Sequence, residues 1–239
     1  MMRKNRIKLY LANRSSALML IAITLVFLIS VGTTLAVEYT NITEEFENVF
    51  MGSENIRARL SEPNWNAPDG LRLVPGKKIR KDPIITNTGN IAEYVAIQLT
   101  FLDKNNQPLS NADLLKLFGL IDIDWNLSDW KADPDTVIFD NSDKITDVDQ
   151  PIIFYYQSIL MPARVSEPLF SSIRVHDKSD GLSEAELRWL QGIKITNGKI
   201  VTDPGGLGEV HIKIEGAAVQ AFGFNTPADA QSALKAMFP

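Results

Sequence analysis

The sequence predicts an all-β body, a β-sandwich with a few short decorating helices, preceded by an N-terminal signal helix. Three observations predict it. Short strand-rich runs recur between turn residues from residue 54 to the C-terminus. Three hydroxyl-to-carboxylate cap signals mark helices too short to form a layer. The one dense apolar stretch without charge lies near the N-terminus. The background composition is that of a globular chain: 239 residues, 45% hydrophobic and 22% charged, with too much apolar content for a disordered or collagenous protein.

The N-terminus reads as an address. All five charges between Met1 and Ala36 are positive (Arg3, Lys4, Arg6, Lys8 and Arg14), and residues 15–37 carry none, with a dense apolar core over 17–31. Thr34-Leu35-Ala36 puts small residues where a signal peptidase reads them, so the expected cut falls between Ala36 and Val37. A retained anchor is the competing reading, since the uncharged stretch could cross a hydrocarbon core of roughly 30 Å. In either case the bulk of the chain is expected outside the cytoplasm, touching the membrane only through an uncleaved leader. Without residues 1–36, 19 basic side chains remain against 29 acidic ones. That balance argues against a nucleic-acid partner, because phosphate neutralisation needs clustered Lys and Arg. The chain has no cysteine, which excludes disulfides, thiolate zinc sites and thiol nucleophiles. Export without oxidative folding suits a Gram-positive cell.

Residues 37–53 form an acidic N-terminal arm. Ile42, Phe46, Val49 and Phe50 follow a helical spacing, yet Val37, Tyr39, Thr40, Ile42 and Thr43 suit an extended strand equally well. A single domain is expected over 54–239, with strand runs at 56–61, 71–74, 83–87, 94–102, 136–139, 152–160, 168–175, 193–195 and 209–222. In the clearest run Val95, Ile97, Leu99 and Phe101 alternate with Ala96, Gln98 and Thr100, which predicts one buried face. Turn chemistry separates the runs at Pro75-Gly76, at 87–90, at Asn105-Asn106, at Asn197-Gly198 and at 204–206. Residues 87–90 are expected to turn a hairpin, with backbone tolerant of left-handed conformations. In the last run the alternation Val210, Ile212, Ile214 changes phase to Ala217, Val219, Ala221, which predicts a β-bulge at Gly216. Helices are expected after Ser110, Ser183 and Thr226, each three residues before Asp113, Glu186 or Asp229, the last with Pro227 at its first position.

No catalytic constellation emerges. His176 and His211 are the only histidines and fall in no metalloprotease spacing, and there is no GxSxG elbow. No catalytic or cofactor-binding residue is nominated. Nine aspartates crowd residues 122–149. Hard oxygen ligands at that density could hold Ca²⁺, with Asp133, Asp135, Asp140 and Asp143 the candidate ligands, but no EF-hand loop is present and a solvated acidic loop is the plainer reading. Trp125 and Trp130 flank part of this loop, either as a sugar-binding pair or as core residues with one polar tip. The sequons Asn41-Ile-Thr43 and Asn126-Leu-Ser128 are short enough to arise by chance.

Several segments, read in order, resemble the camelysin and TasA family of exported Gram-positive proteins processed by the SipW type of signal peptidase. They are the leader ending 31–36 (VGTTLA), the run 73–90 (LVPGKKIRKDPIITNTGN), Tyr94-Val95 opening a strand, 155–160 (YYQSIL), 167–170 (EPLF) and 213–221 (KIEGAAVQA). The resemblance implies a jelly-roll domain, secretion to the cell surface or biofilm matrix and, in some members, fibres in which the mature N-terminal segment of one subunit completes a neighbour's sheet. By that analogy Val37, Tyr39, Ile42, Phe46, Val49 and Phe50 form the donor segment, and the partners are other copies or related matrix proteins, besides the signal peptidase. Camelysin carries a metallopeptidase label, for which this sequence offers no residues. A metal-dependent peptidase and a monomeric polysaccharide-binding surface module are the alternatives to a structural role.

Overall fold

The computed structural model describes residues 56–65, 74–196 and 199–238. The chain divides into Met1–Glu44 and Glu45–Pro239, and the described residues belong to the second unit. The leader, the Ala36–Val37 cleavage pair, the arm from Val37 to Phe50, the run at 71–73 and the Asn197-Gly198 turn lie outside the described residues.

The elements run β1 (Ala58–Ser61), β2 (Lys78–Arg80), β3 (Ile84–Asn87), β4 (Glu93–Asp103), α1 (Asn111–Phe118), β5 (Ile121–Trp125), β6 (Trp130–Ala132), β7 (Val137–Phe139), β8 (Ile145–Val148), β9 (Ile152–Tyr156), β10 (Phe170–Val175), a 3₁₀ turn (Lys178–Asp180), α2 (Glu184–Gln191), β11 (Ile193–Thr196), β12 (Lys199–Thr202), β13 (Val210–Gln220) and α3 (Pro227–Lys235). The body is all-β, with antiparallel sheets and three short helices. A four-stranded sheet in the order β13-β4-β9-β6 is one layer, and the three strands β2-β10-β5 with the pair β1-β3 contribute to the other. Between them lies one cluster to which Val95, Ile97, Leu99 and Phe101 of β4, Phe154 of β9, Ile85 of β3, and Phe170 and Ile173 of β10 all contribute. Period-two patterning in β4 places these residues on one face, as the sequence implies.

The other face of β4 is also buried, which corrects the expectation of a single buried face. Tyr94 and Ala96 of β4, Ile153 and Tyr155 of β9, and Ala217 of β13 form a second cluster with Ala230 and Leu234 of α3. The final helix is therefore a cover for the outer face of the sheet, not a loop decoration. Small residues at Ala96, Ala217 and Ala230 let helix and sheet approach closely, so nine residues suffice.

The bulge expected at Gly216 is absent. β13 and β4 stay in continuous register from Val210 opposite Asp103 to Gln220 opposite Glu93. Even-numbered residues Val210, Ile212, Ile214 and Ala218 keep to the inner cluster throughout. What changes is the odd-numbered face. His211, Lys213 and Glu215 are polar, whereas Ala217, Val219 and Ala221 join the cluster under α3. The apparent slip in sequence phase marks the edge of the helix cover, with no inserted residue. An irregular register does occur in β10, between Phe170 and Ile173.

All three helix caps form as predicted. Ser110 accepts from the Asp113 amide, and Ser183 with Glu186 and Thr226 with Asp229 complete reciprocal capping boxes, with Pro227 opening α3. Residues 87–90 are not a hairpin, since β3 pairs with β1 while β4 pairs with β13 and β9. They carry the chain from one layer to the other, and none of them adopts positive φ. Asn87 is buried there and donates its amide to the carbonyls of Ile91 and Leu160, which ties the crossover down. The segment 122–149, read as a solvated acidic loop, contains most of β5 and all of β6, β7 and β8.

Candidate functional site

The residues singled out by sequence are dispersed over the body. Asp133 is buried after β6 and accepts from the Tyr155 hydroxyl at 3.0 Å, the Asp135 amide at 3.0 Å and the Lys235 ammonium at 2.9 Å. Burial would raise its pKa, but these bonds, that from Lys235 foremost, outweigh burial and hold the carboxyl below the usual range. The same environment raises the Tyr155 pKa, first by burial and then by the adjacent carboxylate. Lys235 also reaches Asp135 at 3.0 Å. The ammonium of α3 thus stands where an ion shared by Asp133 and Asp135 would sit, and the pair fastens the helix to the sheet. Asp140 and Asp143 lie instead in the β7–β8 turn, where Asp140 accepts from the Ser142 and Lys144 amides and Asp143 has φ 57°. Among the described residues, no three carboxylate or imidazole groups stand together as a metal-ligand set.

The histidines are far apart in role. His176 meets Asp122 at 2.9 Å, and Asp122 is also bridged by Arg174 at 2.8 Å. Arg174 in turn binds Asp180 at 2.8 Å, which lowers the Asp180 pKa. His211 projects from β13 beside Glu209 at 3.2 Å, outward-facing as its place in the alternation implies. Trp130 is fully buried and donates its indole N–H to the Glu167 carbonyl at 2.9 Å. Trp125 stacks on Phe154 and meets Phe118, Phe139 and Phe170 edge to face. Trp130 is a core residue and Trp125 packs partly buried against the same core with its ring engaged by four phenylalanines, so the two rings do not form an exposed sugar platform. The sequon residue Asn126 is likewise occupied, donating to Asp129 and to the Pro168 carbonyl.

Asp124 is a structural residue that the sequence did not mark. Its carboxylate accepts from the amides of Ser171 and Ser172 at 2.9 and 2.7 Å and from both hydroxyls, closing the irregularity in β10. Burial acts to raise its pKa, and these bonds override it and lower it. An open groove of about 380 Å³ lies between Pro75, the 3₁₀ turn and the start of α2. Its lining residues Asp177 and Ser183 are already engaged as helix caps.

The margin of the main sheet has a different character. β13 is its edge strand and runs eleven residues. Glu93 and Leu160 exchange amide bonds at 3.0 and 2.8 Å, and Ala221 donates to Ala92 at 2.8 Å. Antiparallel alternation then points the odd-numbered backbone groups of β13 toward β4, and those of Val210, Ile212 and Ile214 away from it. Among the described residues no strand is paired to that side of residues 210–214. At the opposite end of the sheet β6 is only three residues long, a short edge of the kind that resists pairing. No helix among the described residues is long and apolar enough to cross a membrane. No protein-family model, no curated protein and no solved structure matches the chain.

Proposed function

We propose that the chain is an exported structural protein of the cell surface or biofilm matrix, which assembles with copies of itself by adding a donor strand to the β13 margin at residues 210–214. The observation that carries this reading is that β13 is a rim strand of the main sheet among the described residues, with the backbone groups of Val210, Ile212 and Ile214 directed away from β4. Strand addition takes its affinity from main-chain hydrogen bonds and its register from side-chain pockets, and the stretch 210–214 supplies the former. The donor is the acidic segment containing Val37, Tyr39, Ile42, Phe46, Val49 and Phe50, released by cleavage after Ala36. Export rests on the basic and apolar pattern of the leader. A jelly-roll description of the body belongs to the same proposal. It is supported by neighbours distant in sequence, β13 beside β4 and β10 between β2 and β5.

The test is electron microscopy of the purified protein after two separate changes. Deletion of 37–50 is expected to abolish filaments. Ile212→Pro is expected to shorten or abolish them by removing an outward-facing amide while leaving the β13–β4 bonds in place, with circular dichroism checking that the fold survives. Undiminished filaments in the deletion refute the reading.

A further inference from the structure

One end of the main sheet is apolar and the other is polar. β13 ends at Gln220, β4 begins at Glu93 and β9 ends at Tyr156. The backbone at and beyond these points stays side by side, since Ala221 donates to Ala92 while Glu93 and Leu160 exchange amide bonds. Phe222, Ile159 and Met161 all lie past the last paired residues of their strands, with relative exposures of 88%, 46% and 55%. They belong to the end of the sheet, not to either of its faces, so a partner laid across the end meets all three. Gly223, at φ 101°, turns the chain directly after Phe222.

An isolated exposed apolar side chain is ordinary. Three at one end, the largest of them almost wholly exposed, mark a contact surface. The charge at this end also departs from that of the body. Segments 56–57, 87–92, 157–165 and 220–226 contain no carboxylate and two charged residues, Arg57 and Arg164, both exposed. Of the neighbouring acids, Glu93 is buried and Asp129 is half-buried and bound by Asn126. The opposite end has exposed Asp149 and Glu209 ahead of β9 and β13, and the exposed polar run 104–107 after β4.

The apolar end is also where the preceding chain joins the body. Arg57 donates its amide to Glu93 at 2.9 Å, and its carbonyl accepts from the Thr88 and Gly89 amides at 2.8 and 3.0 Å. Residues 37–55 can span at most about 65 Å, so a leader held in a bilayer keeps the body within that distance of it. Tethering of this kind gives an effective concentration on the order of millimolar, at which a contact too weak to hold a free protein is populated.

We propose that, until the leader is cut, this end of the body rests on the bilayer that the leader enters. Phe222 and Met161 enter the interface between headgroups and acyl chains, and Arg57 and Arg164 stay at the level of the lipid phosphates. A lipid surface is the occupant because it offers apolar and anionic groups together, and because the apolar leader brings the chain to it. The proposal rests on the leader of the reading above, and it uses neither the 210–214 margin nor strand addition.

The chain has no cysteine, so a single introduced one is a unique label. The full-length protein is reconstituted into vesicles of phosphatidylcholine and phosphatidylglycerol with an environment-sensitive dye at Met161→Cys or, at the opposite end, at Lys104→Cys. Quenching by lipids spin-labelled on their acyl chains is expected at 161 and not at 104. Added to Met161→Cys, Phe222→Asp is expected to abolish the quenching and Phe222→Trp to retain it. Arg164→Glu is expected to weaken it, most in vesicles rich in phosphatidylglycerol. Circular dichroism checks that these variants keep the fold. A chain that floats with the vesicles but is quenched no more at 161 than at 104 refutes the contact and leaves the leader standing, whereas a chain that does not float refutes both. Quenching unchanged by Phe222→Asp also overturns the proposal, as does a label at 161 that is covered by self-association without vesicles. Strand addition is decided separately, by filaments after deletion of 37–50.

Discussion

The two halves of β13 share a strand, a partner and a register, yet they live in different surroundings. From Val210 to Glu215 the outward face is His211, Lys213 and Glu215, with Lys213 and Glu215 paired at 2.8 Å. From Ala217 to Ala221 the outward face is apolar and lies under α3. The inner face is apolar along the whole length because the sandwich core is continuous. A change of pattern within one strand therefore reports a change of cover, and only the unchanged face reports register. Reading both faces as one alternation turns the boundary of a helix into a false bulge.

Four measurements break or sharpen that comparison. The largest effect is expected from Ala217→Asp, which places a carboxylate beneath α3 with no partner and should lower unfolding free energy by about 3 kcal/mol or more in urea titrations. On the uncovered half, Lys213→Asp should change it by about 0.5 kcal/mol or less. Equal effects at the two sites would dissolve the distinction between the halves. Leu234→Ala, on the helix side of the same contact, is expected to cost about 2–4 kcal/mol through the cavity it leaves.

The third measurement concerns Glu93, opposite Gln220 at the covered end but facing inward. It is fully buried. One carboxylate oxygen accepts from the Arg57 amide at 2.9 Å and the other has no hydrogen-bond partner. Burial raises its pKa from 4.5 to about 7, only partly countered by the Arg57 amide. The folded state thus binds a proton that the unfolded chain has already released. Its contribution is fully present below the ordinary carboxylate range and is lost as pH rises through about 7. Glu93→Gln should remove this slope, leaving the variant more stable than the parent by about 1–3 kcal/mol above neutral pH. A parent whose urea midpoint is as high above pH 7 as below pH 5 would contradict this. The smallest effect is expected at Gly216→Ala. An added Cβ there meets Leu60 and Ile85 at an ordinary 3.6 Å, so a regular strand gains about 0.5 kcal/mol from reduced chain entropy. Marked destabilisation would revive the bulge.

Much of the fold was legible in the sequence because its signals are local. The three caps at Ser110, Ser183 and Thr226 were readable because capping residues bond within three positions of themselves. The runs now seen as β1, β3, β4, β7, β9, β10, β11 and β13 were readable because period-two patterning survives wherever one face meets the core. The strands β2, β5, β6, β8 and β12 were hidden for two reasons. They are short, and their exposed residues are the same aspartates and lysines that a loop would carry, as in Asp122, Asp124 and Lys131. The dispersal of the candidate ligands was likewise unreadable. Lys235 lies one hundred residues from Asp135, and no spacing rule connects them.

By itself the sequence determined the all-β character and the helix starts, since each depends on neighbours within a few residues. Only the tertiary structure decided that α3 covers the sheet, that Lys235 sits between Asp133 and Asp135, that Trp130 is interior with Trp125 packed against the core, and that β13 is a rim among the described strands. Those facts depend on which distant segments meet, and the chemistry of an aspartate, a tryptophan or a strand backbone is set by what lies against it.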